Sequence, residues 1–64
     1  MPLIKFETKN GKLLREFKSD YVPNIGDTIW LNNSIDNHSY IKITDKVIDL
    51  DYYNFIITFI VEEN

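Results

Sequence analysis

The chain has 64 residues, 44% of them apolar and 27% charged, with a formal net charge of −3, one histidine and no cysteine. Length allows one domain over residues 1–64, and composition excludes disulfides, cysteine-based zinc sites and histidine clusters. A domain of about 60 residues buries only about 60% of the surface its unfolded chain exposes, which leaves oligomerisation as the stabilising device still open.

Leu3 to Thr8 reads as a first strand, with Ile4 and Phe6 on one face and Lys5 and Glu7 on the other. Asn10-Gly11 follows as a hairpin signal, because a type I′ turn needs positive φ at both central residues and this pair tolerates it. That turn sets Lys9 opposite Lys12, Glu7 opposite Leu14, Lys5 opposite Glu16 and Ile4 opposite Phe17. The Lys5–Glu16 opposition favours the register by roughly 0.2–1 kcal/mol. Leu13 and Phe17 then join the core face, and Leu14 is left outside beside lysines.

Ser19-Asp20 ends the second strand. In the connector, Tyr21 to Asp27, Pro23 fixes φ and Gly26 supplies a tightly turned position. Thr28 to Asn32 is the third strand. The polar run Asn32 to Ser39, which holds His38, is expected to be a mobile loop.

Tyr40 to Leu50 is a long fourth strand whose alternation slips, since Ile41 and Ile43 have one parity and Ile48 and Leu50 the other. A period of two cannot put both pairs on one face without an inserted residue, so a β-bulge or sharp bend is expected near Thr44 to Val47. Asp51 to Asn54 turns the chain into the fifth strand. There Tyr53, Phe55, Ile57, Phe59 and Val61 make one apolar face, while Ile56 and Ile60 add apolar groups to the other. A strand covered on one side should alternate more cleanly. Either the strand bends through a small barrel, or a second copy of the chain covers Ile56 and Ile60. No helical period, repeat or linker is visible.

Charge is unevenly spread. Residues 1–18 hold five cations against two carboxylates, and residues 19–64 hold two cations against eight carboxylates. Lys9, Lys12 and Arg15, with Lys18, make the first hairpin basic. Such lysines protect an edge strand from aggregation, and they could equally hold a phosphate or attract another copy.

No nucleophile–histidine spacing, Gly-rich phosphate loop or set of metal ligands is present, so neither an enzyme nor a cofactor is expected. Asp45, Asp49 and Asp51 lie close together, but strand carboxylates normally face water. Aromatic groups are the stronger candidates. Trp30, Tyr40, Tyr52 and Tyr53 fall where a barrel presents strand edges and loops, and such side chains are enriched at binding hot spots. If Ile29 and Leu31 are core, alternation faces Trp30 outward or into an interface; the opposite parity makes it a core residue.

The segment Val22-Pro23-Asn24-Ile25-Gly26-Asp27-Thr28-Ile29-Trp30-Leu31 resembles the Pro-x-x-Gly-Asp-x-apolar approach to a strand in small SH3-like barrels. Tyr40 to Ile43 and Phe55 to Ile57 are similar to their long bent hairpin. The resemblance covers residues 21–61 and implies a binding role without naming a ligand. The aromatic cluster of a proline-peptide groove has no residue-by-residue counterpart here.

The expected fold is all-β, a five-stranded small barrel or strongly bent antiparallel sheet. The expected function is that of a non-enzymatic interaction module, a homodimer or higher homo-oligomer built through Ile56, Ile60 and Trp30. Its largely acidic surface suits a protein partner with a basic surface. Ten isoleucines, seven asparagines and six lysines suggest A/T-rich coding, and with it a phage or mobile-element accessory protein that binds or inhibits a host protein. The alternative is a binder of nucleotides or single-stranded nucleic acid that uses the basic hairpin. No apolar run approaches about 18 residues and no basic, apolar leader opens the chain, so a cytoplasmic protein without a membrane partner is expected.

Overall fold

The computed structural model describes residues 1–32, 38–50 and 55–63. Five strands are present: β1 (Leu3–Thr8), β2 (Leu13–Lys18), β3 (Thr28–Asn32), β4 (His38–Leu50) and β5 (Phe55–Glu63). They form one sheet in the order β2-β1-β5-β4-β3, curled through 259° into a half-barrel. The sheet is mixed and not purely antiparallel, because β1 and β5 pair in parallel while every other pair is antiparallel. Sequence patterns show which residues share a face, but they do not show which strands become neighbours.

The parallel pair explains the two-sided fifth strand. β5 is the central strand of five and has a neighbour on each side along its length. Ile57, Phe59 and Val61 point inward and are buried, whereas Ile56, Thr58 and Ile60 lie on the outer face and are half-buried by adjoining strands. The sheet curls into a half-barrel. Its inner face gathers Ile4, Phe6, Leu31, Ile41, Ile43, Ile57, Phe59 and Val61 into the core, with Leu14, Phe17, Val22 and Ile29 packed against it. Phe6 is the hinge of the aromatic packing, with its ring 5.6 Å from Phe17 and 5.9 Å from Phe59.

The slip in β4 is repaired by one residue. Ile43 pairs with Val61 and Asp45 with Ile60, so Thr44 is the extra residue of a bulge. Its hydroxyl donates to the Ile60 carbonyl oxygen at 3.2 Å. With that insertion Ile41 and Ile43 on one arm and Ile48 and Leu50 on the other all face inward.

The first hairpin keeps Lys5 opposite Glu16 and Ile4 opposite Phe17, but its turn differs from the type I′ expectation. Gly11 has φ +87° and no described non-glycine residue has positive φ, so Asn10 cannot occupy the second left-handed position. Instead Gly11 N–H donates to Thr8 O and Thr8 N–H to Lys12 O, each at 2.9 Å. That geometry is a three-residue loop closed by a left-handed glycine. A register shift follows, in which Glu7 faces Leu13 and Phe6 faces Arg15. Leu14 is thereby turned onto the core and Leu13 is left 47% exposed, the reverse of the alternation expected from an unbulged hairpin. Strand β4 also begins earlier than expected, with His38 opposite Asn32 in the ladder. The rest of the polar loop, 33–37, lies outside the described residues, as does the turn at 51–54.

Gly26 is the third residue of a turn in which Asp27 N–H donates to Asn24 O at 3.1 Å. Its φ of +97° with a non-positive Ile25 fits a type II turn. Nothing lies within 4 Å of where a β-carbon would sit, so the constraint is in the backbone alone. Gly26→Ala should therefore cost about 1–2 kcal/mol. In a thermal melt followed by circular dichroism this appears as a drop of about 4–8 °C per kcal/mol. An unchanged melting temperature would mean that the left-handed turn does not hold the connector.

Candidate binding cleft at the open side of the sheet

The curl stops short of closure, since β2 and β3 are the two ends of the sheet and do not pair with each other. The connector 19–27 links the end of β2 to the start of β3. Ser19 N–H donates to Pro2 O at 3.2 Å and Tyr21 N–H to Ser19 Oγ at 3.0 Å. Pro23 is buried and Val22 packs on the core. At the far end Asn24 N–H donates to Asp27 Oδ2 at 2.8 Å, and Gly26 N–H reaches Ile43 O at 2.9 Å. The connector is thus fixed at both ends by hydrogen bonds, one at each end reaching another part of the sheet or its start.

A cleft of about 240 Å³ remains between these parts, lined by Phe6, by Arg15 and Phe17 of β2, by Tyr21 and Pro23 of the connector, and by Ile29, Trp30 and Leu31 of β3. Drug-sized ligands usually occupy about 300–1,000 Å³, so this cleft suits one or two side chains. Arg15 is the one charged residue in the lining, and four of the eight lining residues are aromatic. Trp30 is 47% exposed and Tyr40, its partner in the ladder, is 51% exposed. Their rings meet edge to face with centroids 4.4 Å apart.

The basic residues of the first hairpin do not converge. Lys9 Nζ lies 3.5 Å from Glu62 Oε1, in a pair exposed enough that solvent leaves it little strength. Lys12 is exposed at the loop, where its backbone N–H donates to Thr8 Oγ1 at 3.2 Å. Arg15 sits opposite Phe6 and lines the cleft, while Lys18 is opposite Leu3 on the outer face. Ile56 and Ile60 are likewise on the outer face, alongside Leu3 and Glu7 of β1. The Trp30–Tyr40 pair is elsewhere, since β5 pairs with β4 only as far as Ile41 opposite Glu63. Tyr52 and Tyr53 lie outside the described residues.

Sequence reasoning missed two features. One is the joining of Phe17, Tyr21 and Ile29 across the open side, which depends on how the sheet curls. The other is a run of exposed apolar groups on β4, with Val47 52%, Ile48 49% and Leu50 73% exposed. A length mismatch could have shown the second, because a third strand of five residues cannot cover a fourth strand of more than ten.

Among the described residues no three His, Asp or Glu side chains gather into a group that could hold a metal ion. None of them forms a helix long and apolar enough to cross a membrane. Comparison with protein-family models, with curated proteins and with solved structures found no match for this chain. The class that fold and site define is an all-β half-barrel with an aromatic-lined cleft at its open side.

Proposed function

We propose that this protein is a non-enzymatic interaction module that self-associates and takes an apolar side chain of a protein partner into its cleft. The observation that carries the reading is the cleft itself, whose aromatic walls offer large contact area at little entropic cost. The net charge of −3 favours a partner with a basic surface. The likeness of residues 21–61 to SH3-like barrels supports binding as the role, and a host protein bound by a phage or mobile-element accessory protein fits it.

Tyr21 is 72% exposed, so its truncation tests binding without disturbing the core. In pull-downs from bacterial lysate, Tyr21→Ala and Trp30→Ala should each weaken capture of the partner about 30-fold, the effect of a hot spot worth about 2 kcal/mol. Raising salt should weaken capture further. A partner held equally well by both variants, or no partner at low or high salt, would remove the reading.

Nucleotide or single-stranded nucleic-acid binding is a second reading, favoured by Arg15 standing among aromatic groups that could stack on a base. The divergence of the lysines and the small cleft weigh against it. Titrating Trp30 fluorescence with nucleotides and a short oligonucleotide separates the two, and a flat signal leaves protein binding.

A further inference from the structure

Strand β4 is covered by β5 from Ile41 to its end, and on its other side only over its first part. β5 pairs with it from Ile41 to Leu50, whereas β3 pairs only from His38 to Lys42. The ladder toward β3 ends with Ile43, whose N–H donates to Asp27 O at 3.0 Å and whose carbonyl accepts from Gly26. From Asp45 to Leu50 no described strand lies on that side. The side chains there are Val47 on the outer face and Ile48 and Leu50 on the inner face, all about half exposed or more. Phe55, opposite Leu50 on β5, is a further 43% exposed and extends the inner apolar patch. Protein edges of this kind are normally guarded by lysine, proline or a bulge. The guards here, Thr44 and Lys46, sit at one end and leave Val47 to Leu50 as an apolar edge with a single charge.

We propose that a second copy of this chain pairs with that edge, β4 against β4 in antiparallel fashion, about a two-fold axis beside Ile48. The proposal rests on the self-association reading above and gives it an interface and a register. Two antiparallel edges related by a two-fold axis keep inner side chains opposite inner ones, so the axis must pass beside a residue facing its own copy. Charge and ladder length then select among the residues of the open edge, Lys46 to Leu50. An axis at Lys46 sets that lysine against itself, one at Asp49 sets that carboxylate against itself, and one at Val47 pairs only Lys46 to Ile48 and leaves Asp49 and Leu50 outside the ladder. Like charges directly opposed in a ladder are destabilising. An axis at Ile48 sets Ile48 against Ile48, Lys46 against Leu50 and Val47 against Asp49, with no like charges opposed in that span. It also brings the Ile48, Leu50 and Phe55 side chains of both copies together on the inner face. Asp45 Oδ1 already accepts the Lys46 N–H at 2.8 Å, which marks the end of the edge left for pairing.

The chain has no cysteine, so single-cysteine variants report the register directly. Facing residues in an antiparallel ladder have Cα atoms about 4.5–5.5 Å apart, within disulfide range. Under mild oxidation Ile48→Cys should form a covalent dimer, and Leu50→Cys and Lys18→Cys should not. In sedimentation equilibrium the unmodified chain should be a dimer, and Ile48→Asp should weaken association by more than about 100-fold while keeping its circular dichroism spectrum. A chain that is monomeric at every concentration, with no cross-linking, overturns both the self-association reading and this interface. A dimer that survives Ile48→Asp, fails to cross-link through Ile48→Cys and dissociates with Ile60→Asp overturns the β4 edge alone. That last result would place self-association on the outer face of β5.

Discussion

Phe59→Ala is expected to leave most of the protein unfolded in the absence of denaturant. Phe59 is fully buried at the centre of β5, opposite Phe6 on β1 and Lys46 on β4. Truncating a buried phenylalanine costs about 3–5 kcal/mol, through lost transfer energy and the cavity left behind. A core in a chain this short supplies rarely more than about 3–5 kcal/mol of net stability. The two quantities are of equal size, so a single substitution consumes the margin. Phe55→Ala on the same strand is the control, because that side chain is 43% exposed and sits at the strand end. Urea unfolding followed by Trp30 fluorescence and far-UV circular dichroism, at one fixed protein concentration, measures both variants. With a urea slope of about 1 kcal/mol per molar, the Phe59→Ala midpoint should fall by about 3 M or more. A shift under about 1 M would mean that Phe59 is not the centre of the core.

Thr58→Pro should be nearly as damaging, although Thr58 is on the outer face. Thr58 faces Lys5 across the parallel pair and Val47 across the antiparallel one, so its strand is flanked on both sides. Proline removes the amide that the ladder uses, and its ring crowds the adjoining strand. The orphaned carbonyl alone costs about 1–3 kcal/mol, before the steric term is added. Thr58→Val keeps the β-branched shape and the amide, so its effect should stay within about 0.5 kcal/mol. Thermal melts of the two variants decide the matter. A Thr58→Pro protein as stable as Thr58→Val would contradict the central placement of β5 and with it the strand order.

Much of the local structure is legible in the residues themselves. Ile4 and Phe6, Ile41 and Ile43, and Ile57, Phe59 and Val61 declare an inner face by spacing alone, and the parity change between Ile43 and Ile48 announces the bulge that Thr44 fills. These features follow from the two-residue period of a strand and the cost of wetting apolar groups, both properties of short segments. The hairpin shows where such reading fails. Asn10-Gly11 marks the turn, but one more residue in the loop moves the left-handed position to Gly11 alone. A second displacement at Leu14 then exchanges the roles of the two leucines. A single-residue register change turns every later side chain over, and nothing in the local pattern penalises either choice strongly.

The candidate surfaces are less legible still. Trp30 and Tyr40 stand out by type, but the cleft near them is made with Phe17 and Tyr21, which meet β3 only because the sheet curls. The basic residues are adjacent in sequence and dispersed in space, since Arg15 faces inward, Lys18 outward, and Lys9 and Lys12 sit at the loop. The apolar edge of β4 is visible only once β3 is known to stop at Lys42.

The sequence by itself determined an all-β chain with five strands, a bulge in the fourth and a fifth that is apolar on both faces. Tertiary structure alone decided that β1 lies parallel to β5, that the sheet curls without closing, and that Val47 to Leu50 run along an edge no described strand covers. The physical reason is the range of the forces involved. Alternation, turn chemistry and charge opposition act over a few residues and leave their mark in the order of the chain. Strand order and curl are set by how one apolar face is best covered by the whole molecule, and several orders satisfy the same alternation equally well.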